Sequence, residues 1–217
     1  MMRKVIAAII MSLAGPAVAE PLVIAALGDS LTQGYGLPQE EGFVPQLQAW
    51  LDAEGADVQL VNAGVSGDTT AGGLSRVAWT LTPDVDGMIV ALGGNDLLRG
   101  LEPSTSRANI EGILDAAQDA GVEVLLIGMT APGNFGPEYK AEFDAIYPEL
   151  AAEYGTEYLE SFFAGLVDGD AEPDLAAAKP FMQDDGVHPN EEGVRRIVAR
   201  IGPKVLSLIE DIGASDS

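Results

Sequence analysis

The chain has no cysteine among its 217 residues and a single histidine, His188. The first absence excludes a disulfide framework, a thiol nucleophile and a cysteine-ligated zinc site, so the fold must be held by its core alone. The second leaves one imidazole as the obvious general base, the side chain whose unperturbed pKa of about 6.5 lies nearest neutral working conditions. Basic side chains are scarce too, 11 against 34 acidic ones. Such a surface repels nucleic acid and anionic lipid at long range, and neither is an expected partner. Past the N-terminus no run is long and apolar enough for a transmembrane helix, so no stable membrane insertion is expected.

The N-terminus reads as an export signal. Arg3 and Lys4 precede an apolar run over residues 5–14, and Ala17-Val18-Ala19 supplies a small-residue cleavage pattern ahead of Glu20. Residues 1–19 are therefore expected to be removed and the protein to be periplasmic or secreted. Residues 20–217 form one domain of 198 residues, ample for a single core. That domain carries nine basic against 34 acidic side chains, a net −25. In a saline medium, screening would relieve the resulting self-repulsion.

Apolar, strand-like runs alternate with segments of helical period. Strands are expected near residues 21–27, 58–61, 87–92 and 122–127, with a weaker fifth at 156–159. Helices are expected over 43–53, 69–78, 105–120, 138–154 and 191–211, followed by a frayed tail over 213–217. Continuous apolar strands separated by helices imply an α/β fold, with a parallel sheet covered on both faces. In such a sheet, ligands bind outside the carboxyl ends of the strands. Three polar, glycine-bearing segments follow the first three strands: Gly28-Asp29-Ser30, Asn62 to Asp68, and Gly93-Gly94-Asn95-Asp96.

Ser30, Asp185 and His188 are the parts of a nucleophilic triad. A hydroxyl is a poor nucleophile until a base takes its proton, and an aspartate fixes that base's tautomer and stabilises the imidazolium. In Asp184-Asp185-Gly186-Val187-His188, Gly186 permits the tight turn by which one loop presents both groups. The N–H groups of Ser30 and Gly67 and the amide of Asn95 are candidate oxyanion donors. Taken singly, Gly67 reads better as a turn glycine and Asn95 as a helix cap.

Together the segments resemble the SGNH hydrolases, also called the GDSL family. That family carries a nucleophilic serine in Gly-Asp-Ser, a glycine, an asparagine in Gly-x-Asn-Asp, and Asp-x-x-His near the end. The matching residues are Gly28-Asp29-Ser30, Gly67, Gly93-Gly94-Asn95-Asp96 and Asp185-Gly186-Val187-His188. Asn62 to Thr70, Leu98-Arg99-Gly100, Ala145 to Leu150 and Met182 to Asn190 are similar to the bacterial periplasmic arylesterase, thioesterase and lysophospholipase group. The resemblance implies a flavodoxin-like three-layer α/β/α sandwich of about five parallel strands. It implies hydrolysis of acyl esters and thioesters without a metal and selects Asp185 over Asp184; a monomer with no cofactor is expected. Leu97 departs from the glycine expected after Asn95-Asp96, which puts acyl-length preference in question. Leu97, Leu98 and Leu101 on a loop, with Pro132 and Phe135, could line an acyl groove or simply cap the core.

Rival readings are weaker. A metal hydrolase would have to rely on Asp184, Asp185 and His188 alone. A non-enzymatic flavodoxin-like binding module finds only Gly34-Tyr35-Gly36 and Gly93-Gly94, neither a complete phosphate loop. No Gly-x-Ser-x-Gly elbow is present. A carbohydrate O-acetylesterase or an acyltransferase on the same fold remains an alternative to the acyl esterase.

Overall fold

The computed structural model describes residues 21–166 and 175–215. The expected leader over residues 1–19 lies outside the described residues. In chain order the elements are β1 (Leu22–Gly28), α1 (Ser30–Gln33), α2 (Phe43–Ala53), β2 (Val58–Gly64), α3 (Thr70–Thr80) and β3 (Gly87–Ala91). They continue with α4 (Gly94–Arg99), α5 (Pro103–Ala120), β4 (Glu123–Ile127), α6 (Pro137–Tyr154), β5 (Glu157–Leu159), α7 (Leu175–Ala178) and α8 (Glu191–Ser215).

The five strands form one parallel sheet in the order β2-β1-β3-β4-β5. Helices α2 and α8 pack together on one face, and α3, α5 and α6 succeed one another on the other. This is the three-layer α/β sandwich expected. The central strands are apolar along their length because helices cover both faces: every residue of β3 is buried, as are Ile24 to Gly28 of β1. Strand β2 departs from the expected buried strand. It is longer, it lies at the sheet edge, and only Val58 is buried along it, so its side chains partly face solvent.

Helix periodicity reproduces the expected boundaries closely, α2 to the residue. Its buried residues Phe43, Val44, Leu47 and Leu51 share one face, as a 3.6-residue repeat requires. Three short helices were not anticipated, α7 among them. Helix α1 begins at Ser30, and α4 takes up Leu97 and Leu98, which were expected on a loop. Of the tail expected to fray over 213–217, residues 216–217 lie outside the described residues, and the expectation is corrected for 213–215. Helix α8 continues to Ser215, since Ile212 is buried against the sheet and the Ser215 hydroxyl donates to Glu123 at the start of β4 (2.9 Å).

Register decides where the site forms. Gly28 at the end of β1 lies opposite Gly64 of β2 and Ala91 of β3, so three successive strands finish level. Arg76 of α3 clasps that edge. Its guanidinium donates to Gly28 O (2.8 Å) and Ala63 O (2.6 Å) and pairs with Asp68 (2.6 Å). Arg76 and Asp68 are each only about one-fifth exposed (21% and 20%). Arg76→Met should therefore cost roughly 2–3 kcal/mol in denaturant unfolding, because two carbonyls and a half-buried carboxylate lose a charged donor. Arg107→Met breaks a more exposed pair with Glu149, and should cost under about 1 kcal/mol in the same measurement.

Candidate active site

Ser30 sits at the first turn of α1, directly past the end of β1. Asp29 caps that turn: its carboxylate accepts from Leu31 N (3.0 Å), as a short polar residue at a helix start does. The chain thereby turns over at once, and Ser30 emerges at the sheet edge. His188 arrives from the other end of the sequence. Its Nε2 lies 2.8 Å from Ser30 Oγ, across 158 residues of chain.

The loop carrying His188 is folded on itself. Met182 bridges Pro189, Gln183 N donates to His188 O (2.8 Å), and Gly186 N donates to Gln183 O (3.0 Å). Gly186 takes φ +66°, a left-handed value that a side chain would oppose. Asn190 ends the loop by accepting from Gly193 N (3.0 Å) at the start of α8. Within this turn Asp185 Oδ1 accepts from Val187 N (2.9 Å) and His188 N (3.0 Å), while Oδ2 meets His188 Nδ1 at 2.7 Å. The His188 backbone N–H, then its ring, then the Val187 N–H hold the Asp185 carboxyl down at about 2. An ionised carboxylate only accepts, so Nδ1 carries a ring proton, and in the neutral ring Nε2 faces Ser30 as acceptor. Of the two adjacent aspartates, Asp185 bonds the imidazole. Asp184 is exposed beside it.

Asn95, in the first turn of α4, donates from Nδ2 to Asp29 Oδ2 (3.2 Å). A carboxylate there can face only the nitrogen end of the amide, which fixes the orientation of Asn95. Asp96 anchors the same turn from beneath. It is fully buried (0% exposed) and accepts from Thr70 N (2.9 Å), Thr70 Oγ1 (2.6 Å) and Ser106 Oγ (3.0 Å), tying α4 to α3 and α5. Gly67, at φ +84°, lies in the loop between β2 and α3. Arg99 of α4 donates to its carbonyl (2.8 Å), so the elements bearing Gly67 and Asn95 are linked directly.

Of the expected acyl-groove residues, Leu98 is 67% exposed and Phe135 45% exposed. Pro132 is exposed as well. Phe135 packs against Gly100, which ends α4, and against Tyr139, with ring centroids 5.0 Å apart. Leu97 is turned into the core, only 7% exposed.

Sequence reasoning passed over Asp29, Arg76, Arg99 and Gln183. Asp29 was open to recognition as a capping residue, because an aspartate followed by a short turn is a helix-start signal. Nothing nearby in the chain marked these arginines for their carbonyl partners, which lie 13 to 48 residues away.

The molecule is thus a three-layer α/β protein with a serine, a histidine and an aspartate hydrogen-bonded in that order at the carboxyl edge of its parallel sheet. The chain belongs to the GDSL-like lipase/acylhydrolase family, whose model matches residues 26–196. It is 34% identical over 194 residues to Esterase TesA of Pseudomonas aeruginosa, spanning 89% of this chain and 91% of that protein. It is 36% identical over 178 residues to the Escherichia coli protein thioesterase 1/protease 1/lysophospholipase L1, spanning 81% and 78%. Among solved structures, the psychrotrophic esterase EstA from Pseudoalteromonas sp., inhibited by monoethylphosphonate, matches with a TM-score of 0.77 at 30% identity. The match covers 87% of this chain and 98% of that one.

Burial raises the Asp29 carboxyl from 3.8 to about 6, against hydrogen bonds from Leu31 N and Asn95 that lower it. The folded state therefore holds the proton more tightly than the unfolded chain does. The resulting stabilisation is full below pH 3.8 and is lost as pH rises through about 6. The difference between 3.8 and about 6 is worth about 3 kcal/mol. Urea unfolding of wild type and Asp29→Asn at pH 3.5 and pH 7 should show wild type losing about that much relative to the variant. A constant difference would show that Asp29 titrates alike in both states.

Proposed function

We propose that this protein is a serine hydrolase of carboxylic acyl esters and thioesters. The observation that carries the reading is the unbroken chain from Ser30 Oγ to His188 Nε2 (2.8 Å) and from His188 Nδ1 to Asp185 (2.7 Å). In this mechanism Ser30 Oγ attacks the acyl carbon while His188 Nε2 takes its proton, and the carbonyl oxygen becomes an oxyanion. The N–H groups of Ser30 and Gly67 and the second N–H of the Asn95 amide receive that charge. Collapse breaks the bond to the alcohol or thiol, which leaves with the proton from Nε2, and an acyl-Ser30 ester remains. Water, deprotonated by the same nitrogen, then releases the acid and restores Ser30. Asp185 stays ionised throughout and steadies the imidazolium each time it forms.

The acyl chain is taken to run over Leu98, Pro132 and Phe135, with Leu97 supporting that surface from the core. Membership of an acylhydrolase family and relatives named esterase and thioesterase support the chemistry. The phosphonate-inhibited esterase of the same fold suggests a direct probe.

Hydrolysis of p-nitrophenyl esters from acetate to palmitate, with phosphonate labelling, tests the reading. Wild type should turn over and take up one phosphonate per chain. Ser30→Ala should keep the fold, lose turnover and take up none; a labelled or active Ser30→Ala overturns the nucleophile. Asn95→Ala should lose on the order of 100- to 1,000-fold in kcat. Asp185→Asn should cost far more activity than Asp184→Asn, and equal losses would reassign the aspartate.

A further inference from the structure

The proposed mechanism leaves one aromatic side chain at the site without a role. Tyr35 lies just past α1, and its ring packs on the His188 imidazole with centroids 4.6 Å apart and planes tilted by 37°. Half of it is open to solvent (50%), as is much of neighbouring Val187 (40%). Its backbone is fixed to both reacting groups. Tyr35 N donates to Ser30 O (3.1 Å), and Tyr35 O accepts from Gln183 Nε2 (2.8 Å). Gln183 is in turn bonded to the carbonyls of His188 and Pro189 (2.8 and 3.0 Å). The ring therefore stands in place before substrate arrives, and little ordering is left to be done on binding.

Chemistry says what must lie beside it. Whichever group departs takes its proton from His188 Nε2, so its first atoms sit next to the imidazole and hence next to Tyr35. The acyl chain leaves the carbonyl carbon in another direction, toward Leu98 and Phe135. We infer that Tyr35 is the binding platform for the leaving group, the residue through which the site favours planar, aromatic alcohols over alkyl ones. The inference rests on the triad proposed above. An aromatic ring stacks on Tyr35 with a preference beyond simple area burial, which an alkyl alcohol does not share.

Phenyl acetate and ethyl acetate form the same acetyl-enzyme, so a difference between them reports the leaving group alone. In the full-length chain, Tyr35→Ala should lower kcat/KM for phenyl acetate roughly five- to tenfold. It should change that for ethyl acetate little, and Tyr35→Phe should keep the wild-type ratio. Hydrolysis of the acetyl-enzyme, read after the nitrophenolate burst from p-nitrophenyl acetate, should be unaffected, because the leaving group has already gone. Equal losses on both acetates, or slower hydrolysis of the acetyl-enzyme, overturn the platform and make Tyr35 a support for His188. In that case a Ser30-dependent burst still leaves the triad standing. A wild-type protein that neither turns over p-nitrophenyl acetate nor takes up phosphonate overturns both.

Discussion

The level finish of three parallel strands is the constraint on which the site depends. Hydrogen bonding pairs Gly28 with Gly64 on one side and with Ala91 on the other. A residue of slip in either pairing would turn a strand's side chains to the opposite face and shift the loop that follows it. Because the register holds, Ser30, Gly67 and Asn95 all emerge within a few residues of one edge. The strand order adds the second condition. The chain passes from β1 out to β2 and back across to β3, and the crevice of a parallel sheet opens where the winding reverses.

Electrostatics then shapes that edge. A chain with 34 acidic and 11 basic side chains has few cations to place, and two of them serve here. Arg76 holds the ends of β1 and β2, and Arg99 holds the carbonyl of Gly67. Two carboxyl groups are buried beneath the same loops. Asp29 and Asp96 are 2% and 0% exposed, and each is met by donors rather than by a cation. Asp29 joins the Ser30 turn to Asn95, and Asp96 joins the Asn95 helix to α3 and α5. A buried acceptor with aligned donors fixes geometry well, because any displacement strands a polar group away from water.

Against these fixed parts the histidine loop is a separate device. Asp185, Gly186 and His188 form a closed turn held by its own backbone, and α8 begins as soon as it ends. The loop reaches Ser30 as a unit and carries Gln183, which grips the carbonyl of Tyr35. Ser30, His188 and the neighbouring aromatic ring are thus joined through backbone groups.

Much of this was legible in the linear chain. Alternating apolar strands and helical periods specify a parallel sheet because each pattern fits only one backbone repeat. The Asp185–His188 spacing specifies a turn that brings both groups together, and α2 was bounded correctly by its buried face alone. What the chain could not display were contacts whose partners are remote and carry no pattern. The clasp of Arg76 on two carbonyls, the burial that lifts Asp29, the short helix that turns Leu97 inward and the stacking of Tyr35 on His188 are of this kind. The edge position of β2 belongs with them, since a strand's neighbours are chosen by how helices cover the sheet. Local periodicity is written residue by residue and survives in the sequence; distance, burial and register exist only once the chain has closed on itself.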